Sequence, residues 1–264
     1  MIRRFNICVI AAMLALGFSP GCSSTRSVSV MPMASLVPAR IDLFGGFARG
    51  ATREWNEWAD SHLQNGDIVF MRGDCHMLMG TVNFSEFSTD LTASRFSHIG
   101  LVAIEDDQVY VYDIRNKGCM RTRFGELLAD GHVHQLAVKR YRGASTDNLA
   151  ATAKFCRTAF KKREKFDDHF KLDNGRLYCA ELVEEAYRSE GFRLSEPVAI
   201  QDLPNYERHL KAVQLVRAIT SIEPDQPVLL PGNEQIGIWA NPSLDLILDL
   251  PDTKLRPLTA GLTD

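Results

Sequence analysis

Apolar residues recur along this chain in two periods, and the switches between them predict the order of elements. Around Ala51 to His62 the pattern is helical, with Trp55 and Trp58 three apart on one face. Asn65-Gly66 then breaks into a predicted strand, Asp67 to Met71. His98 to Ile104 and Gln108 to Ile114 are β-rich runs joined by the polar Glu105-Asp106-Asp107, which predicts a hairpin. A further strand is predicted over His132 to Tyr141, with Val133, Leu136 and Val138 among its apolar positions. From Ser145 to Lys162 the period becomes helical, because Leu149, Ala153, Cys156 and Phe160 share one face. The cationic end Lys161-Lys162-Arg163 complements the helix dipole and reads as a solvated terminus. A second helix is predicted from Cys179, with Leu182, Val183, Ala186 and Tyr187 on one face and Gly191 after its last turn. Arg72 to Arg95 is rich in Gly, Ser and Thr without a clean period and reads as a loop. Antiparallel strands followed by helices predict an α+β fold.

The two ends differ from this middle. Arg3 and Arg4 precede the apolar run Ile7 to Phe18 and then Ser19-Pro20-Gly21-Cys22, the pattern of a secretory signal over residues 1–21. The apolar run is shorter than the ~20 residues a membrane-spanning helix needs. Small residues leading to Cys22 resemble a bacterial lipobox, which makes Cys22 the expected lipid acceptor and the membrane a partner through that anchor. Residues 22–45, rich in Ser, Met and Pro, read as a tether to a catalytic domain over 46–215. Residues 216–264 hold the short apolar runs Pro227 to Leu230 and Leu244 to Leu250 and read as an extension without an assigned role.

With 264 residues, 45% of them hydrophobic and 24% charged, the chain can bury a core. A formal net charge of -3 without a basic cluster gives no reason to expect nucleic acid as a partner. Oligomeric state is not encoded in any feature of the sequence. Of six cysteines, Cys8 lies in the signal, Cys22 is the expected lipid acceptor, and Cys75, Cys119 and Cys156 allow at most one bridge. His132 and His134 alternate along a strand and His76 neighbours Cys75, but no further spacing completes a zinc pattern. Neither metal nor organic cofactor is expected.

Cys179 and His98 carry the candidate chemistry. A thiol at a helix N-terminus beside an imidazole is favoured as thiolate, and an imidazole is suited to moving its proton. The returning strand of the hairpin brings Asp113 towards His98, as a carboxylate that orients the ring; Glu105, at the turn, is the alternative. The backbone N–H of Cys179 is an expected oxyanion donor. Tyr178 either faces substrate or packs, and Ser97 stands beside the base as a second candidate substrate contact.

Gly66-Asp67-Ile68-Val69-Phe70, Ser97-His98-Ile99-Gly100 and Tyr178-Cys179-Ala180-Glu181-Leu182-Val183 occur in that order. Together they resemble the YiiX/YebB-like family of circularly permuted papain-like proteins, relatives of the NlpC cell-wall peptidases, over roughly residues 60 to 210. The resemblance implies a permuted papain-like fold in which the base precedes the nucleophile in sequence. It also implies a Cys-His-acid hydrolase acting on amide bonds, with cell-wall peptides as the expected substrate. The family carries glutamate where this chain offers Asp113, and Tyr-Asp where it has Phe166-Asp167. Two other readings remain open: lipid acyl chemistry of the lecithin-retinol acyltransferase type, and a binding lipoprotein without catalysis. A polar cleft beside Cys179 would favour peptides, and a deep apolar one would favour acyl chains.

Overall fold

The computed structural model describes residues 52–77, 82–129 and 133–251. The expected signal, Cys22, the tether and His132 lie outside them. In chain order, helix α1 (52–62) is followed by strand β1 (Ile68–Gly73), strands β2 (His76–Met77) and β3 (Val82–Asn83), and helix α2 (Phe84–Leu91). Strands β4 (His98–Glu105), β5 (Gln108–Arg115) and β6 (Gly118–Arg123) come next, then helix α3 (Phe124–Ala129) and strand β7 (Val133–Tyr141). Helices α4 (Thr146–Lys162) and α5 (Cys179–Arg188), strand β8 (Val198–Ala199), helix α6 (Leu210–Thr220) and strands β9 (Pro227–Val228) and β10 (Leu244–Leu250) complete the chain.

Six strands form one antiparallel sheet in the order β10-β7-β1-β4-β5-β6. Alternation along each strand sends side chains to opposite faces. Ile68, Phe70, Ile99, Leu101, Ala103, Tyr112 and Ile114 meet α4 and α5 on one side. Val69, Met71, Val102, Val109, Val111, Leu136 and Val138 meet α1 and α3 on the other, where Trp55 and Trp58 pack edge to face with ring centres 5.7 Å apart. The expected β4–β5 hairpin forms, and Asp106 and Asp107 both adopt positive φ, 49° and 60°. Two left-handed residues in succession give the turn whose twist matches the strands. Helix α4 starts at a capping box in which Ser145 and Asn148 bond each other's backbone N–H, and it ends at Arg163 in the left-handed conformation.

Two sequence expectations need correction. Arg72 to Arg95 is not a loop, since it completes β1 and contains β2, β3 and α2. Ser and Thr residues give α2 a weak intrinsic preference for helix and hide its period. It forms because the Asn83 side chain accepts the Glu86 N–H at 3.2 Å and because Ser85, Thr89 and Leu91 are buried. The boundary at 215 is also misplaced: it falls inside α6, and the segment beyond it belongs to the fold. Strand β10 pairs with β7, Leu244 opposite Tyr141, while Leu229, Ile238 and Trp239 join the main core. Pairing between strands so far apart in sequence leaves no local period to read. Among the described residues no helix is long and apolar enough to cross a membrane.

Candidate active site

The base is placed by the central strands. His98 opens β4, opposite Met71 of β1, and pairing with β5 is established from Leu101 against Tyr112 onward. Carrying that register one step further sets Gly100 opposite Asp113, on the diagonal from His98. The Nε2–H of His98 donates to Asp113 Oδ2 at 2.7 Å. Gly100 makes this approach possible: a Cβ there would stand 2.8 Å from the Tyr112 carbonyl oxygen and 3.2 Å from Asp113 Cβ. The short Asp side chain therefore reaches the ring because its cross-strand neighbour has no side chain. Glu105 is engaged elsewhere, accepting from Tyr112 Oη and, at 2.8 Å, from Arg121.

The nucleophile is placed by α5. Cys179 is its first residue, following Tyr178 in extended conformation, and its side chain lies near enough to the His98 ring to raise that ring's pKa. With Nε2 held by Asp113, Nδ1 is the ring nitrogen left for another partner. Nearly every residue of α5 is buried, so the helix is fixed from all sides. Tyr187 fixes it to the sheet, donating its hydroxyl to the Gly66 carbonyl at 2.6 Å. Gly66 itself has φ +84°, and a Cβ would come within 2.7 Å of Leu149 Cδ2. The neighbouring Asp67 is buried against the Arg140 guanidinium, with hydrogen bonds of 2.8 and 2.7 Å. The first sequence motif thus locks the sheet to the nucleophile helix and carries no chemistry of its own.

Charge organises the pair. Burial disfavours a charged imidazole, yet the neighbouring Cys179 and the hydrogen bond and charge of Asp113 outweigh it and lift His98 to about 9. Burial likewise opposes ionised Asp113, but the hydrogen bond and charge of His98, with Arg115 behind them, hold it below the ordinary carboxylate value. The arrangement is an imidazole of raised pKa between a thiol and a buried carboxylate. Arg115 was not singled out by the sequence reading, although its place two residues after Asp113 on a strand puts both on one face. Its Nε donates to Asp113 Oδ2, the oxygen that His98 also uses.

A cavity of about 200 Å³ opens beside Cys179. Its wall is mainly carbon, including Phe84, Phe87, Phe170, Ile200, Val213 and Val228. Ser97 and Tyr178 line it as well, so both expected substrate contacts reach the cavity. The Tyr178 hydroxyl, however, accepts the Leu229 N–H at 2.6 Å, and its ring packs on Phe170 with centres 5.2 Å apart. Tyr178 therefore offers a ring to this space while its polar end holds the C-terminal segment. The Ser97 hydroxyl pairs with Ser85.

Asp167 is another residue whose importance the sequence reading did not find. Fully buried, its carboxylate accepts from the His169 and Lys171 N–H groups and from Asn174, folding the loop that carries Phe170 to the cavity. Among the described cysteines, Cys75, Cys119, Cys156 and Cys179 are free thiols; Cys156 is wholly buried, and its thiol is pushed above the usual range by desolvation. His134 Nε2–H donates to the Asp74 carboxylate at 2.8 Å.

Comparison with known proteins identifies the family. No curated protein matches the sequence. A solved structure described as metalloprotein yiiX from Escherichia coli O157:H7 superposes with a TM-score of 0.59 at 21% identity, covering 72% of this chain and 98% of that one. The sequence profile of the permuted papain-like amidase enzymes, the YaeF/YiiX, C92 family, matches residues 62–221. That span contains His98, Asp113 and Cys179, and the chain belongs to the permuted papain-like amidase family.

Proposed function

We propose that this protein hydrolyses an amide whose acyl part is apolar, through Cys179, His98 and Asp113. The observation that carries the reading is a His98 ring held by the Asp113 carboxylate and raised in pKa by the neighbouring Cys179, which itself lines a carbon-walled cavity. The Cys179 thiolate attacks the carbonyl carbon, and the developing oxyanion meets the Cys179 backbone N–H at the start of α5. His98 passes a proton to the departing amine as the C–N bond breaks, leaving a thioester. It then takes a proton from water, which attacks the thioester and releases the carboxylic acid. Asp113 holds the ring's tautomer and stabilises its charged form.

The cavity supports one of the substrate readings. It exceeds the roughly 150 Å³ apolar space that takes a benzene ring, so it suits a medium-length acyl chain or an aromatic group. A hydrophilic cell-wall peptide would leave its polar groups without partners against such a wall. The acyl reading therefore stands ahead of the peptide one, with the reaction type unchanged. A series of N-acyl amides from acetyl to decanoyl tests it, with intact-protein mass spectrometry of the Cys179 thioester. The expected result is kcat/KM rising with acyl length to a limit; a flat series alongside cleavage of cell-wall peptides would return the substrate to peptide amides.

We also infer that the enzyme works in the cell envelope, held to a membrane by lipid on Cys22. Arg3 and Arg4, the apolar run and Gly21-Cys22 support this. The mass of the mature N-terminus tests it, since an unmodified Cys22 or cleavage elsewhere would remove the anchor. The yiiX structure is described as a metalloprotein. Among the described residues of this chain no three His, Cys, Asp or Glu side chains are gathered as metal ligands, and the steps above use the chain's own groups.

A further inference from the structure

Asp113 is 1% exposed, and its two oxygens have different surroundings. Oδ2 accepts from both His98 Nε2 and Arg115 Nε. Oδ1 is buried and has no hydrogen-bond partner among the described residues. His98 at the start of β4 and Arg115 at the end of β5 thus meet on one carboxylate oxygen, and the three residues form one charged cluster at the strand ends. Arg115 keeps its guanidinium at the surface, with a side chain 36% exposed. The remaining titratable neighbours are thiols: Cys179, reached through His98, and Cys119 on β6, whose burial and closeness to Asp113 push it up to about 12 and keep it neutral.

We propose that Arg115 is a positioning residue that balances the charge of Asp113 while His98 gains and loses its proton. The inference rests on the Cys179–His98–Asp113 reading. In the resting pair the imidazolium neutralises Asp113. Once His98 has protonated the leaving amine, the ring is neutral, and a buried carboxylate with one unsatisfied oxygen would face it without a cation. Arg115, fixed on Oδ2, then supplies the counter-charge and keeps Asp113 ionised and aimed at the ring. Because both cations share one oxygen, Arg115 also limits how strongly Asp113 draws a proton onto His98, so the imidazolium stays a good acid for the leaving group.

Arg115→Gln in the full-length protein tests this, with the His98 ring followed by NMR across pH and with steady-state kinetics. Losing the competing cation is expected to raise the His98 midpoint by about one pH unit, tenfold in proton affinity. It is also expected to lower kcat about tenfold at unchanged KM, with Arg115→Lys recovering most of both. Should the Gln variant not fold, Arg115→Met keeps the packing of the stem and reads the same two quantities. A His98 midpoint that stays put in the variant, while Asp113→Asn moves it, overturns the proposal. A wild-type His98 that titrates as an ordinary imidazole, with Cys179 indifferent to it, is a different failure and overturns the catalytic pair itself.

Discussion

His98 and Asp113 lie 15 residues apart on one hairpin, whereas the cavity beside them is assembled from segments spread between Phe84 and Pro231. In the hairpin each position is determined by the next: turn conformation sets the register, the register sets the diagonal, and Gly100 clears the space. In the cavity no such chain of determination exists. Its wall comes from α2, the loop around Phe170, α6 and the strand pair β8–β9, joined only by packing. The difference teaches where each property can change. Reaction chemistry is held by close polar geometry that fails abruptly, while substrate choice rests on apolar volume that can be altered by degrees.

Substitutions separate the two regions. Cys179→Ala is expected to remove at least ~10³-fold of amide hydrolysis while leaving binding of an apolar amide intact. A loss of binding together with activity would mean that the two regions are not separable. Gly100→Val comes next, because its side chain would enter the space between Val111 Cγ1, 2.9 Å from the Cβ position, and Asp113. Displacing Asp113 by about an ångström should cost ~10²-fold in kcat; a variant as active as wild type would show that the diagonal approach is not needed.

The cavity should respond more gently. Phe170→Ala removes a ring that stacks on Phe84 and meets Tyr178, and is expected to raise KM for decanoyl-type substrates about tenfold with acetyl substrates little changed. Equal effects on both would place Phe170 in the catalytic geometry and blur the comparison. The smallest effect is on stability alone. Glu181, 3% exposed in the first turn of α5, is raised to about 7 by burial, against which the Asp173 N–H acts, and by the nearby Asp167 charge. Its folded state therefore holds the proton more tightly than the unfolded chain. The stabilising contribution is complete below about pH 4.5 and is lost as pH rises through about 7. Glu181→Gln should then gain roughly 1–3 kcal/mol above pH 7, shrinking towards nothing at pH 4.5 in chemical unfolding; a gain of equal size at both pH values would deny the buried charge.

The same contrast explains what the amino-acid sequence conveys. The places of His98, Asp113 and Cys179 in the fold are legible because each sits in a local pattern, a strand start, a hairpin return and a helix start. The short reach of Asp113 to the ring is accommodated by a neighbour two residues from His98, Gly100. Helix α2 was not legible, since its order depends on burial of Ser85, Thr89 and Leu91 against segments far along the chain. β10 and the cavity wall were hidden for the same reason: pairing of Leu244 with Tyr141 and the bond from Leu229 to Tyr178 join residues with no shared local period. Arg115 needed only the two-residue spacing of a strand and was overlooked because its charge reads as surface.

The central claim is that Cys179 and His98 act as one ionised pair, and the most direct measurement is site-resolved alkylation. Wild type and His98→Ala are treated with iodoacetamide across pH 5 to 11, and peptides containing Cys75, Cys119, Cys156 and Cys179 are quantified separately. The account predicts that Cys179 reacts in wild type well before buried Cys119 and Cys156, with a change in rate as His98 discharges near pH 9, and that this step disappears in His98→Ala. Identical Cys179 profiles in the two proteins, or a Cys179 as inert as Cys156, would contradict it and leave a protein that binds apolar groups without cleaving them.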